Sequence, residues 1–233
     1  MVASQVQAPI KRKHKTFALV RYTEQLNLNR FTPKDLLPWK ACFQNDPKDE
    51  KRGRKTENWT LCLIKEVFSV KEVYNTNNTE LDKRAIDGLV ELLNGDCIPI
   101  QSKSSPEGVE SFLHKAEQFA KLDGHNLADE IVIIGYEVES FKSRLLVFLY
   151  LYELFKSLGV ELKPEFRLAL DKIYPYLVLA NNKKEAVKLE MKTAKKLFGN
   201  SLVSLIHLGL VHIHAGYAII PPNGLMVKST LFN

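Results

Sequence analysis

Four lysines pose the first chemical question. Lys184, Lys188, Lys192 and Lys195 recur at i, i+4, i+8 and i+11, the spacing of one helical face. Val187, Met191, Ala194 and Phe198 fall on another face of the same predicted helix, Lys183 to Phe198. A row of ammonium groups beside an apolar seam suits contact with phosphates, and a solvated lysine face is the plain alternative. Two shorter basic clusters lie in the first third: Lys11, Arg12, Lys13 and Lys15, then Lys51, Arg52, Arg54 and Lys55. Each can grip a polyanion, serve as a nuclear-import signal or solubilise a loop. Arg12 precedes Phe17 by five residues, and Arg54 precedes Trp59 by five. Exposed rings beside cations would suit single-stranded nucleic acid. The plainer expectation is that Phe17 and Trp59 are core residues of strands, which leaves phosphate contact untouched.

His207, His212 and His214 are the other candidates. His-x-His on a strand puts two imidazoles on one face. The last acid in the chain is Glu190, so an acidic third ligand is missing nearby, and a structural pair is expected rather than a metal site. No G-x-S-x-G, P-loop, G-x-G-x-x-G or H-E-x-x-H occurs, and each of these would have carried a catalytic reading. Neither catalytic residues, a cofactor, a metal nor a small-molecule substrate is expected. Cys42, Cys62 and Cys97 are odd in number and far apart, which argues for a reducing compartment.

The 233 residues carry a net charge of +6, distributed in blocks. Residues 1–65 sum to +8, residues 66–140 to −9 and residues 141–233 to +7. Basic ends suit RNA, another polyanion or an anionic membrane surface; an acidic middle suits a second copy of the same chain. Homo-oligomerisation is therefore expected. The longest apolar run, Leu145 to Phe155, contains Glu153 and is about half the ~20 residues that cross a bilayer. It predicts a buried core helix. With no stretch resembling a secretion signal at Met1 to Ile10, the expected location is cytoplasmic or nuclear, neither secreted nor transmembrane.

The elements that must position these groups read as an α+β fold, predominantly helical. Three regions are expected: a disordered basic arm (1–15), a mixed α/β region (16–139) and a helical region with a terminal β-hairpin (140–233), which can share one compact domain. Strands are expected at Thr16–Tyr22, Trp59–Val70 and Glu130–Tyr136, and an exposed loop at Asn45–Lys55. Thr32-Pro33 fits a helix start. Thr79–Leu93 has helical spacing closed by Asn94-Gly95, and Ser105-Pro106 opens a further helix. The long apolar helix starts at Ser140 or Phe141. Pro164 opens another, which Pro175 is expected to break, and Asn181-Asn182 is expected to cap the lysine helix. A short helix, Ser201–Leu208, and strands near Leu210–His214 and Tyr217–Ile220 close the chain.

Helix, Gly199, helix, Gly209-Leu210-Val211 and a hairpin ending in Gly216-Tyr217 resembles the end of a winged-helix domain over about the last 50 residues. That resemblance implies a hairpin touching a nucleic-acid backbone. The helix Ser201–Leu208 carries no Lys or Arg, a departure that favours packing against protein over reading bases. In the order of its elements the chain is also similar to rhabdovirus-type matrix proteins: a basic arm, an early strand, a Trp-bearing helix, then a terminal helix running into Gly-Leu-Val and a hairpin. Their Pro-Pro-x-Tyr segment is absent at Pro221-Pro222-Asn223-Gly224. The combination predicts a non-enzymatic, RNA-binding, self-assembling protein of nucleocapsid or coat type. The alternative is a matrix-type adaptor working through protein contacts and anionic membrane surfaces.

Overall fold

The Trp59–Val70 segment, whose alternation predicts a strand, is instead the greater part of a helix, α1 (Arg52–Val67). Its apolar run is nearly continuous, and such runs fit a buried helix as well as a strand. Leu61, Leu63, Ile64 and Val67 are fully buried, so contacts on almost every side decide the outcome. The helix also takes over residues 52–55 of the expected loop. The structure, a computed structural model, describes residues 16–23, 26, 28, 30–34, 36–40, 52–123 and 126–222. The expected basic arm and residues 41–51 lie outside the described residues.

The fold is mixed α+β. A six-stranded sheet has the order β1-β6-β5-β4-β3-β2. Its strands are β1 (Ala18–Arg21), β2 (Leu37–Pro38), β3 (Glu72–Asn75), β4 (Gly88–Glu91), β5 (Cys97–Lys103) and β6 (Val132–Tyr136). All pairs are antiparallel except β5–β6, which is parallel. That parallel pair needs a crossover, supplied by α3 (Pro106–Asp123) and α4 (Leu127–Glu130). The sheet is covered on both faces. Val132, Ile134 and Tyr136 of β6 enter the larger core with α1 and α5 (Phe141–Ser157), while Ile133 enters the smaller core with Val109, Phe112 and Ala128. The predicted strands at Thr16–Tyr22 and Glu130–Tyr136 correspond to β1 and β6.

Two expectations in the first half are corrected. Thr32-Pro33 does not open a helix: Leu37–Pro38 pairs with β3 at the sheet edge, where a proline costs no interior ladder bond. Of Thr79–Leu93 only α2 (Glu80–Lys83) is helical, capped by Thr79. The remainder forms β4, because Leu89 packs on one side of the sheet and Val90 on the other. Gly88 is needed there, since a Cβ would approach Leu61 Cδ2 to 2.5 Å. Asn94-Gly95 is the β4–β5 turn, with Gly95 at φ +91°, a conformation glycine adopts without cost.

The buried helix read at Leu145–Phe155 is α5, capped by Ser140, whose hydroxyl accepts from the Ser143 amide at 3.3 Å. No helix among the described residues is long and apolar enough to cross a membrane. The next helix, α6 (Pro164–Lys183), passes through Pro175 without ending. Pro175 faces solvent, while Ile173, Leu177 and Ala180 stay buried, and that packing outweighs the lost backbone bond. The expected single helix Lys183–Phe198 is therefore also corrected. Lys184 ends α6 in the left-handed region at φ 55°, β7 (Val187–Glu190) follows, and α7 (Met191–Phe198) starts after it. The same four residues, Val-Lys-Leu-Glu, carry a period of two, and pairing with β9 (Tyr217–Ile220) selects it.

After α7 come α8 (Ser201–His207), β8 (His212–His214) and β9. The terminal unit runs helix, strand, helix, helix, strand, strand, with sheet order β7-β9-β8. Its buried face joins the larger core through Leu202, Leu205, Ala218 and Ile220.

Candidate polyanion interface

The anchor of the basic surface is a buried phenol. Tyr136 donates to the Thr56 carbonyl at 2.8 Å, and its oxygen lies 3.0 Å from the Thr60 hydroxyl. Trp59 packs on the same ring, with centroids 5.2 Å apart. These contacts pin the first turns of α1 to the sheet and so orient Arg54 and Lys55. Arg54 is exposed. Lys55 Nζ meets Glu139 Oε1 at 2.9 Å, just before α5. Such a half-exposed ion pair contributes at most about 1 kcal/mol. Trp59 is buried and Phe17 packs against Gly135, so both rings are core residues.

One turn into α5, the Arg144 guanidinium lies 5.8 Å from the Trp59 ring centre and 4.3 Å from that of Phe141. Phe141 meets His212 of β8 edge-on at 4.7 Å. Gly209 permits this approach: a Cβ there would come within 2.6 Å of Phe141 Cβ, and its φ is +75°. Partial burial, helped by the Arg144 charge, lowers the His212 pKa, so the imidazole is neutral at neutral pH. Across the terminal sheet His212 stands opposite Ile219, and Ile219 opposite Lys188. The next row is His214, Tyr217 and Glu190. A continuous path of contacts thus links the start of α1, the start of α5 and the outer face of β7-β9-β8.

The four ridge lysines divide among three elements. Lys184 caps α6, Lys188 is on β7, and Lys192 and Lys195 are on α7. All four are exposed, as are Lys183 and Lys196. They do not form one helical face, because the helix that would have aligned them is interrupted by β7. Arg52 is the first residue of α1. Lys11, Arg12, Lys13, Lys15 and Lys51 lie outside the described residues.

The helix α8 turns inward. Ser201, Leu202, Ser204 and Leu205 are buried, and Ser204 Oγ reaches Glu66 Oε2 of α1 at 3.3 Å. Most of the α8 side chains are spent on the core. His207 ends α8 and His214 is exposed on β8. Among the described residues no three His, Cys, Asp or Glu side chains are arranged to hold a metal ion.

Two carboxyl groups that sequence reasoning passed over sit between α1 and the sheet. Burial, then the charges of Asp87 and Asp82, pushes the Glu57 pKa up to about 7. Burial pushes Asp87 up to about 6, although the Ser102 amide donates to its Oδ2 at 2.7 Å. Gln101 Nε2 donates to the same oxygen at 2.5 Å. Perturbed acids can mark a catalytic site; a surface depression of about 290 Å³ lined by Tyr152, Lys156, Glu161 and Arg167 lies elsewhere. The i, i+3 spacing of Phe141 and Arg144 at the start of α5 is visible in the sequence; the contact of Phe141 with His212, across some 70 residues, is not.

Compared with known protein families, with curated proteins and with solved structures, the chain finds no match.

Proposed function

We propose that this chain is a non-enzymatic, polyanion-binding structural protein that binds RNA and self-assembles, in the manner of a nucleocapsid or coat protein of the cytoplasm or nucleus. One observation carries the reading. Residues 183–196 hold six lysines against Glu185 and Glu190; all six are exposed, and none is ion-paired with another described residue. Phosphates recruit such side chains without competition from internal partners and release condensed counterions as they bind. Arg54 is exposed at the start of the contact path described above and adds to the positive charge, whereas Lys55 is paired with Glu139. The acidic block at residues 66–140 offers basic ends a complementary surface in a second copy. Mobility-shift titration of single-stranded RNA at several salt concentrations tests the reading. Affinity should fall steeply with salt, by a log–log slope of about −0.7 per phosphate contact for a single strand. Absence of binding at low salt, or binding indifferent to salt, contradicts it.

A second reading, a matrix-type adaptor at an anionic membrane surface, is favoured by one feature. Leu168, Pro175 and Leu179 are exposed at i, i+7 and i+11 along α6, an apolar stripe near the lysines that follow. Co-sedimentation with phosphatidylserine vesicles, without salt-dependent RNA binding, would select it.

A further inference from the structure

We infer that the ring of Phe141, framed by Arg144, His212 and the outer face of the terminal sheet, is a stacking platform for an unpaired base of single-stranded RNA. The inference rests on the polyanion reading and narrows it from phosphates in general to unpaired strands. Phe141 keeps 41% of its surface exposed although it is a large apolar side chain at the start of a well-packed helix. Exposure alone is ordinary. What is not ordinary is that the exposed ring is held in place: Arg144 lies over one face, His212 meets it edge-on, and Gly209 lets the backbone come close to its Cβ end. A fixed ring loses little freedom when a base stacks on it.

Two further cations accompany Arg144. Lys142 is exposed next to Phe141, and Lys188 lies two strands from His212 in the same row. Adjacent strands are roughly 4.8 Å apart, so Lys188 comes within about 10 Å of His212 in backbone terms, a reach its side chain can shorten. A second exposed ring, Tyr217 at 45%, stands on the same outer face, one row along. Successive rows on one face of a strand are separated by roughly 7 Å, a spacing that an extended single strand can follow. Stacking on aromatic side chains beside backbone-tracking cations is how single-stranded nucleic acid is held without sequence preference. A duplex cannot use the ring, because its base faces are already stacked on one another. The inward-facing, uncharged α8 fits the same picture, since groove insertion is not needed.

The test uses the full chain and an oligouridine carrying one 2-aminopurine, beside a blunt RNA duplex of equal length and heparin. Wild-type protein should quench the 2-aminopurine and bind the single strand at least about ten-fold more tightly than the duplex. Phe141→Leu should abolish the quench and weaken single-strand binding by about 5- to 100-fold. Phe141→Tyr should retain both, and heparin affinity should be the same for all three proteins. Equal binding of duplex and single strand by wild type, or an undiminished quench in Phe141→Leu, overturns the platform while leaving the polyanion reading intact. Failure of wild type to bind any of the three polyanions at low salt overturns both. The wild-type comparison needs no variant, so it stands even if a substitution at Phe141 impairs folding.

Discussion

The two sheets of this protein are built on opposite plans. The six-stranded sheet is covered on both faces, with alternate residues of β6 entering different cores. The three-stranded terminal sheet is covered on one face only: Ala218 and Ile220 point inward, while Lys188, Glu190, Tyr217 and His214 face outward. A doubly covered sheet leaves its acids to be tucked at the margins, where burial pushes Glu57 and Asp87 toward their neutral forms. A singly covered sheet leaves its charges in water, available to a ligand. Under the proposed function, the difference puts interaction chemistry in the terminal unit and structural chemistry in the first sheet.

Truncation at the junction of the two plans should have the largest effect. Phe148 is fully buried in the larger core, between Phe68 and Phe166. Phe148→Ala should cost about 3–5 kcal/mol in a denaturant titration, while Ile213→Ala on the outer hairpin, where the residue is half exposed, should cost less than about 1. Similar losses at both sites would mean that the hairpin is buried more deeply than described. Next comes Gly209→Ala, which combines a φ of +75° with a 2.6 Å approach to Phe141 Cβ. A loss of about 1–3 kcal/mol is expected, together with displacement of Phe141 from His212, visible as a changed His212 imidazole chemical shift. An unchanged shift would count against the close packing there.

The smallest effect concerns pH. Glu57 has a folded pKa of about 7 against an ordinary 4.5, so the fold favours its protonated form. That stability is fully present below pH 4.5 and is lost as pH rises through 7. Glu57→Gln should therefore stabilise the protein at pH 8 by about 1 kcal/mol, after allowance for solvent screening of a partly exposed group, with little change at pH 4.5. Equal effects at both pH values would show that burial does not govern this carboxyl.

Local signals were readable in the terminal half. Ser140 capping α5, Pro164 opening α6, and the short strands around His212 and Tyr217 all stand where spacing and cap residues put them. The strand β7 between α6 and α7 was hidden. Val187–Glu190 satisfies both a helical and an alternating period, and only the partner strand β9, some 30 residues on, decides between them. In the first half the same ambiguity was more damaging. Residues 61–64 and 89–90 are consecutive apolar positions buried on more than one side, which blurs the period that distinguishes helix from strand. The exposed cations were legible as residues but not as a surface. Lys55 and Arg144 approach only through Glu139, Trp59 and α5, contacts that no local pattern encodes.

The central claim is that polyanion binding belongs to the terminal unit rather than to the chain's net charge. It is tested most directly by matched charge reversal. One variant carries Lys184→Glu, Lys188→Glu, Lys192→Glu and Lys195→Glu. The other reverses Lys83, Arg84, Lys115 and Lys121, exposed residues of the acidic block. Affinity for single-stranded RNA is measured for both across a salt series. The terminal variant should lose at least about 100-fold in affinity near 0.1 M salt, with the slope of log K against log salt shallower by about 2–3. The other variant should stay within about three-fold of wild type. Equal losses from the two variants, or a larger loss from the second, would contradict the account.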